Sequence, residues 1–157
     1  MTLPESVAVF TLDGQRFGLD VAAVQGVLRA AWTTPLPDAP EIVMGVVNVH
    51  GDVLPVVNVR RRFGYPERDV RLSDRFVVAR TALRRVVLLV DAVEGNEGIS
   101  PEAMTTAQAV VPGLEYVAGI VKTADGMVLI HDLDSFLSLE EEQTLSDALL
   151  AHEEGTA

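Results

Sequence analysis

Cysteine is absent from all 157 residues, so the chain has no disulfide framework, no thiol nucleophile and no cysteine metal ligands. Aromatic residues are scarce at 5%, and a hydrophobic content of 48% must therefore fill a core mainly with Val, Leu, Ile and Ala. No apolar run reaches the roughly 18 to 20 residues needed to cross a bilayer as a helix, because Asp, Asn, His or Gly interrupts each Val-rich stretch. The start, Met1-Thr2-Leu3-Pro4-Glu5, lacks the basic residues and apolar run of a secretory signal. These absences point to a cytoplasmic location without direct membrane insertion.

Basic residues are also few: 12 Lys and Arg against 23 Asp and Glu give a net charge of −11, which repels phosphate and argues against nucleic acid as a partner. The balance is uneven. Nine of the twelve basic residues fall within residues 60–85 against Glu67, Asp69 and Asp74, a local +6 that leaves −17 elsewhere. Asp134 to Glu154 holds seven carboxylates and no Lys or Arg. Such polarity suits docking to a protein of matching sign. Catalytic motifs are missing: there is no phosphate-binding glycine loop and no nucleophile elbow. His131-Asp132-Leu133-Asp134 contains metal-compatible groups, but neighbours on a strand point to opposite faces and no third nitrogen ligand lies nearby. The reading is no enzyme, no cofactor and no metal; a small β-barrel hydrolase is the alternative from another class, and no spacing supports it.

What is present centres on Gly45-Val46-Val47-Asn48-Val49-His50-Gly51-Asp52-Val53-Leu54-Pro55-Val56-Val57-Asn58-Val59. Two β-branched segments flank His50-Gly51-Asp52, which supplies turn chemistry, so the stretch predicts a hairpin. Pro55 lacks a backbone donor and predicts an edge or a bulge. A shift of 74 residues lays Gly45-Val46-Val47 over Gly119-Ile120-Val121 and Asn58-Val59 over Asp132-Leu133. A shift of 69 lays Val9 over Val78, Leu19 over Leu88, Val24 over Val93 and Gly26 over Gly95. Two echoes in the same order point to an internal duplication.

Hairpins are expected from Val7 to Leu19, around Thr81 to Arg84, and around Ala124-Asp125-Gly126. Asp20 predicts a capped short helix over 21–29 with Val21, Val24, Val27 and Leu28 on one face. Arg60 to Phe63 predicts one helical turn stopped by Gly64. Asp91 to Gly95 reads as a bend, Ser100 to Ala103 as a capped helical turn, and Thr105 to Leu114 as a surface loop. Ser138 with Glu141 forms a capping-box signal for an amphipathic acidic helix over 139–152, with Leu139, Leu145, Leu149 and Leu150 on one side and Glu153 to Ala157 fraying.

The central stretch resembles the CheW family of chemotaxis coupling proteins, whose usual pattern here is Gly-x-x-Asn-Leu-Arg-Gly-x-x-x-Pro-x-x-Asp-Leu. Phe10-Thr11-Leu12 with Phe17-Gly18-Leu19, the Pro-rich Thr34 to Pro40, Leu89-Val90-Asp91-Ala92-Val93 and Glu115-Tyr116-Val117-Ala118-Gly119 extend the resemblance over about residues 7–139. It implies a mainly β fold of two small SH3-like five-stranded barrels packed together. The expected division is a single CheW-like domain over 6–138, with units near 6–65 and 75–138 that can exchange strands. It also implies an adaptor without catalysis, tying the cytoplasmic tips of chemoreceptors to the regulatory domain of a CheA-type histidine kinase. A coupling protein for a related pathway, such as pilus motility or development, is the alternative.

Expected partner-binding residues follow from the same resemblance: Val24, Gly26, Gly45, Val46, Asn48, His50, Gly51, Arg60, Arg61 and Arg62. Each has a plainer reading. Gly45 and Gly51 are first backbone devices, Asn48 bonds backbone near the turn, Val24 is core, and Arg60-Arg61-Arg62 is a solvated face. His50 stands where the family usually has Arg, and Gly26 where it usually has an acid. Both members of that pair are missing together, which avoids stranding one charge and implies altered partner preference.

Overall fold

The computed structural model describes residues 5–99, 104–105, 117–123 and 126–156. The opening hairpin pairs β1 (Ser6–Leu12) with β2 (Gln15–Asp20) across Asp13 and Gly14, both at positive φ. Asp20 does act as a cap, accepting from the Ala22 N–H at 3.0 Å, but it opens only a 3-10 turn over Val21–Ala23. The chain then extends as β3 (Val24–Arg29), so the helix expected over 21–29 is a strand. Burial along β3 alternates with period two, and Gly26 weakens any helix there.

The central hairpin is β4 (Val43–Val49) with β5 (Asp52–Val57), followed by α1 (Val59–Phe63). Asn58 caps α1 by accepting from Arg61 N–H at 3.1 Å, and Gly64 ends it at φ 77°. The next hairpin is β6 (Arg75–Arg80) with β7 (Arg85–Val90). The expected bend at 91–95 is a strand instead, β8 (Ala92–Gly98), because the edge of β1 offers it a ladder. Two-residue β9 (Met104–Thr105) contains the first residue of the expected 105–114 loop, whose remainder lies outside the described residues, as does Ser100 to Ala103. β10 (Val117–Thr123) and β11 (Gly126–His131) form the last hairpin.

Two sheets result, ordered β8-β1-β2-β11-β10-β9 and β3-β6-β7-β5-β4. They form two small barrels of five equivalent strands, one of them extended by β9. The echoes in the sequence map one sheet onto the other: the 69-residue shift carries β1, β2 and β3 onto β6, β7 and β8, and the 74-residue shift carries β4 and β5 onto β10 and β11. Fine details repeat. The bulge between Val43 and Gly45 recurs between Val117 and Gly119, and the bulge at Val24 and Gly26 recurs at Val93 and Gly95. The parallel pair Val56 with Val87 recurs as Ile130 with Gly18. Each sheet takes its first two equivalent strands from one repeat and the other three from its twin. The sheets therefore do not coincide with residues 6–65 and 75–138: one uses 24–90, and the other joins the first hairpin to strands beyond residue 91.

Alternation along the strands feeds separate cores. Phe76, Val78 and Val87 pack inside one barrel, and Val7, Val9, Val128 and Ile130 inside the other. Their neighbours Val77, Ala79, Val86 and Leu88 meet Phe10, Leu12 and Leu19 in a shared layer between the barrels. Burial on both faces explains why the strands read as near-continuous apolar runs. The final helix, α2 (Leu139–Thr156), runs past the predicted fraying point at 153. Its cap is the predicted box: Ser138 N–H donates to Glu141 at 2.8 Å and Glu141 N–H donates to Ser138 Oγ at 3.1 Å. The helix packs on its own barrels through Leu145, Ala148 and half-buried Leu149, whereas Leu139 and Leu150 face outward, 88% and 58% exposed.

Pro55 lies in an internal strand, not at an edge. Val46 exchanges backbone hydrogen bonds with Thr34, 2.9 and 2.8 Å, so its polar groups point away from its partner Pro55. The nitrogen of Pro55 therefore faces β7, whose pairing with β5 begins only at Val56. The same Thr34 contact covers the edge of β4 and fixes Gly45, where an added Cβ would sit 2.4 Å from the Thr34 carbonyl oxygen.

Arg60 is buried at the junction of the two barrels, 7% exposed. Its Nη2 reaches Asp13 at 2.6 Å and Asp91 at 2.7 Å, and Nη1 donates to the Pro66 carbonyl at 2.9 Å. Arg68 bridges Asp74 at 2.8 Å and Asp91 at 2.7 Å. The Arg60 hydrogen bond holds the Asp13 carboxyl below its ordinary value. Burial pushes Asp74 up, but Arg68 and the Arg71 N–H outweigh it and the net shift is also downward.

Gly45→Ala, at φ 149° against the Thr34 backbone, should cost roughly 2 kcal/mol or more in denaturant unfolding. Gly26→Ala, whose Cβ meets no atom within 4 Å, should stay within about 0.5 kcal/mol of the parent. Because the depressed carboxyls favour the ionised folded state, their stabilisation is complete above the ordinary aspartate value of 3.8 and is lost as pH falls from there through their lower folded-state values. Arg60→Met should cost roughly 3 kcal/mol at neutral pH, and thermal unfolding should show that difference shrinking as pH falls below about 4.

Candidate docking site

The β4–β5 turn presents the central motif. His50 at φ 50° and Gly51 at φ 93° occupy the left-handed region expected of a two-residue hairpin turn. Asn48 accepts from the Gly51 N–H at 2.8 Å, so the side chain braces the turn it precedes. Val49 is anchored in the barrel core, while Asn48, His50 and Gly51 are exposed. Asp52 then pairs with Arg85 Nη2 at 2.5 Å, tying the turn to the start of β7. The imidazole is thereby carried outward on a fixed support.

Register places further expected residues at this end of the sheet. Val24, which begins β3, lies opposite Ala79 near the end of β6, and the bulge brings Gly26 opposite Val78. Val24 is half-buried against the shared core, and the space over Gly26 is open. Gly45 and Val46 are different: both are buried, and Val46 is part of the shared core at 3% exposure. They support the turn from within.

The three arginines separate. Arg60 is the internal ion already described, not part of a solvated face. Arg62 donates through Nη2 to both carboxylate oxygens of Glu141 at 2.6 Å, fastening the start of α2. Burial pushes the Glu141 carboxyl up, yet the Ser138 N–H and Arg62 bring it below its ordinary value. Only Arg61 projects outward, 44% exposed, and it meets Glu41 at 2.5 Å. The reason for the division is helical geometry: successive residues of α1 point in different directions, so one run of charge serves three surroundings.

A groove of about 560 Å³ lies beside the turn, lined by Gly51, Asp52, Val53, Leu54, Arg85, Leu149 and His152. Its apolar surface includes Val53, 47% exposed, and its far wall is α2. Leu149 and His152 were not among the residues expected from the motif. The apolar spacing of α2 places Leu149 on the apolar side of the helix, but nothing in the sequence pairs that side with residue 51. His131, the metal-compatible histidine, is buried and stacked on Phe63 with ring centroids 4.1 Å apart. Among the described residues no cluster of three His, Cys, Asp or Glu side chains is arranged to hold a metal, and no helix is long and apolar enough to cross a membrane.

Residues 6–141 match the family model described as CheW-like domain. The chain is similar to chemotaxis protein CheW of Rhizobium meliloti, 30% identical over 136 residues that cover 85% of this chain and 88% of the relative. Chemotaxis protein CheW of Treponema pallidum is 23% identical over 147 residues, covering 90% and 86%. Protein FrzA of Myxococcus xanthus is 34% identical over 131 residues, covering 80% and 79%. The crystal structure of scaffolding protein TtCheW from Thermoanaerobacter tengcongensis matches with a TM-score of 0.79 at 28% identity, covering 88% of this chain and 96% of that one. A family model spanning both barrels, joined to the duplicated strand plan and the central turn, shows that this chain belongs to the CheW-like family of chemotaxis coupling proteins.

Proposed function

We propose that this chain is a cytoplasmic, non-enzymatic adaptor that ties chemoreceptor cytoplasmic tips to the regulatory domain of a CheA-type histidine kinase. The observation that carries the reading is the β4–β5 turn, which holds the motif residues Asn48, His50 and Gly51 outward beside an open groove. A scaffold needs surfaces at a fixed separation, and the reciprocal sharing of strands gives the two barrels a common framework. In this reading Asn48, His50, Gly51, Val24 and Gly26 face partners, Gly45 and Val46 brace them, and Arg61 contributes at a rim. Arg60 and Arg62 act through the fold.

A coupling protein of a related pathway is the second reading, and the similarity to protein FrzA, 34% identical over 131 residues, is compatible with it. Gly26 and His50 bear on the choice, since together they replace an acid and an arginine usual in the family.

The purified chain should bring down both the kinase regulatory domain and the receptor tips of its own cell, with binding that weakens as salt is raised. Binding to neither, from a folded sample, would reject the coupling role. Gly26→Glu with His50→Arg should change affinity for at least one of these partners by about tenfold, a coupling of roughly 1.4 kcal/mol. Unchanged affinities would remove the case for altered partner preference.

A further inference from the structure

At the end of the β3–β7 sheet opposite the His50 turn, two large apolar side chains stand almost wholly in solvent. Trp32 is 89% exposed and Leu72 is 97% exposed. They leave neighbouring strands from one rung: Arg29 pairs with Arg75, and the next contact is Ala30 N–H to the Asp74 carbonyl at 3.2 Å. Trp32 lies two residues beyond Ala30, and Leu72 two residues before Asp74.

The charge at this end is positive in a chain that is otherwise acidic. Arg29 and Arg75 are directly opposite across the strands, and like charges so placed destabilise a sheet. Arg71 is exposed in the same turn as Leu72. None of the three has a carboxylate ion-pair partner among the described residues; Arg75 spends its donors on the backbone carbonyls of Leu72, Ser73 and Asp74. Asp74 is committed to Arg68 and Glu67 faces Arg61, which leaves Asp69 as the loop's carboxylate without an ion pair among those residues.

We infer that Trp32, Leu72, Arg29, Arg71 and Arg75 form a docking surface for an acidic amphipathic segment of a partner protein, separate from the β4–β5 turn. Tryptophan and arginine around a small apolar centre are the side chains that dominate protein interfaces. Carboxylates of the partner would relieve the Arg29–Arg75 repulsion, and an apolar side chain would cover Trp32 and Leu72. A net charge of −11 over the whole chain disfavours an anionic membrane as the occupant, because most of the remaining surface would be repelled by it. The inference does not depend on the coupling role.

Trp32 is the chain's one tryptophan, so its emission reports this surface without a label. The probes are two synthetic amphipathic helical peptides with the same leucine pattern, one with Glu and one with Lys at the polar positions. The Glu peptide should shift Trp32 emission to the blue, saturably and less at high salt, while the Lys peptide should not. Arg29→Glu should weaken that binding by about tenfold or more, yet leave the melting temperature unchanged or raised, because it turns a like-charge cross-strand pair into an opposite-charge one. Equal responses to both peptides, or none, would overturn the inference. So would a shift produced only by phosphatidylglycerol vesicles, which would make the surface a membrane contact, or one produced by raising the protein concentration alone, which would make the occupant a second copy.

Discussion

The buried guanidinium of Arg60 is the interaction on which the junction of the two barrels depends. Removing such a charge from water is costly, and the cost is offset only where several acceptors converge on it. Here they come from distant parts of the chain: Asp13 from the β1–β2 turn, Asp91 from the crossing between β7 and β8, and the Pro66 carbonyl from the loop after α1. Asp91 is the more telling partner. It stands where the chain leaves one sheet for the other, and its backbone and side chain also bond Thr11 and Asp13. The ion therefore fixes a crossover, not merely a loop. The related crossover between β2 and β3 has a different device, the Asp20 cap over a 3-10 turn. Duplication has kept the path at both crossings and placed the ionic cluster at one.

Reciprocal exchange makes that fixing consequential. β3 follows β2 after only Val21–Ala23 yet pairs with β6, and β8 follows β7 after only Asp91 yet pairs with β1, so the barrels cannot move apart as rigid bodies without pulling a strand out of its ladder. The shared apolar layer adds burial to the same restraint. A surface on one barrel is thus held in register with a surface on the other, which is the mechanical property a coupling protein requires. The link from fold to function lies in this rigidity more than in any single exposed residue.

Strand positions were legible because turn residues and β-branched runs are local signals. The pairing partners were not, since period-two burial tells which face is inside but not which strand lies alongside. Residues 21–29 show the limit of spacing arguments: Val24, Val27 and Leu28 fit a helical face, yet Gly26 and the open edge of β6 favour extension. The Arg60 to Arg62 run failed as a surface patch for another reason. Its acids lie far away in sequence, 47 residues for Asp13 and 79 for Glu141. The turn at His50 was legible down to the Asn48 brace, because three adjacent residues carry the whole device. The groove wall from α2 was not, because it joins residue 51 to residues near 150, and the family match ends at 141.

Charge distribution shows the same contrast between sequence and space. The local +6 of residues 60–85 suggests a basic face, but Arg60, Arg61, Arg62, Arg68, Arg84 and Arg85 all meet carboxylates within the molecule. Two of those carboxylates, Glu141 and Glu142, belong to α2, so part of the acidic C-terminal charge serves to clamp the helix onto the barrels. What remains positive is set by topology: Arg80 stands alone at the far end of β6, whereas Arg71 and Arg75 from the basic segment are joined by Arg29 from a strand 46 residues before Arg75 and directly across from it. Internal pairing leaves the clustered positive charge not at the arginine triplet but at the end of the sheet opposite the His50 turn. A partner recognising this chain by charge would therefore meet an arrangement that exists only after β3 has paired with β6, so that folding itself creates the complementary surface.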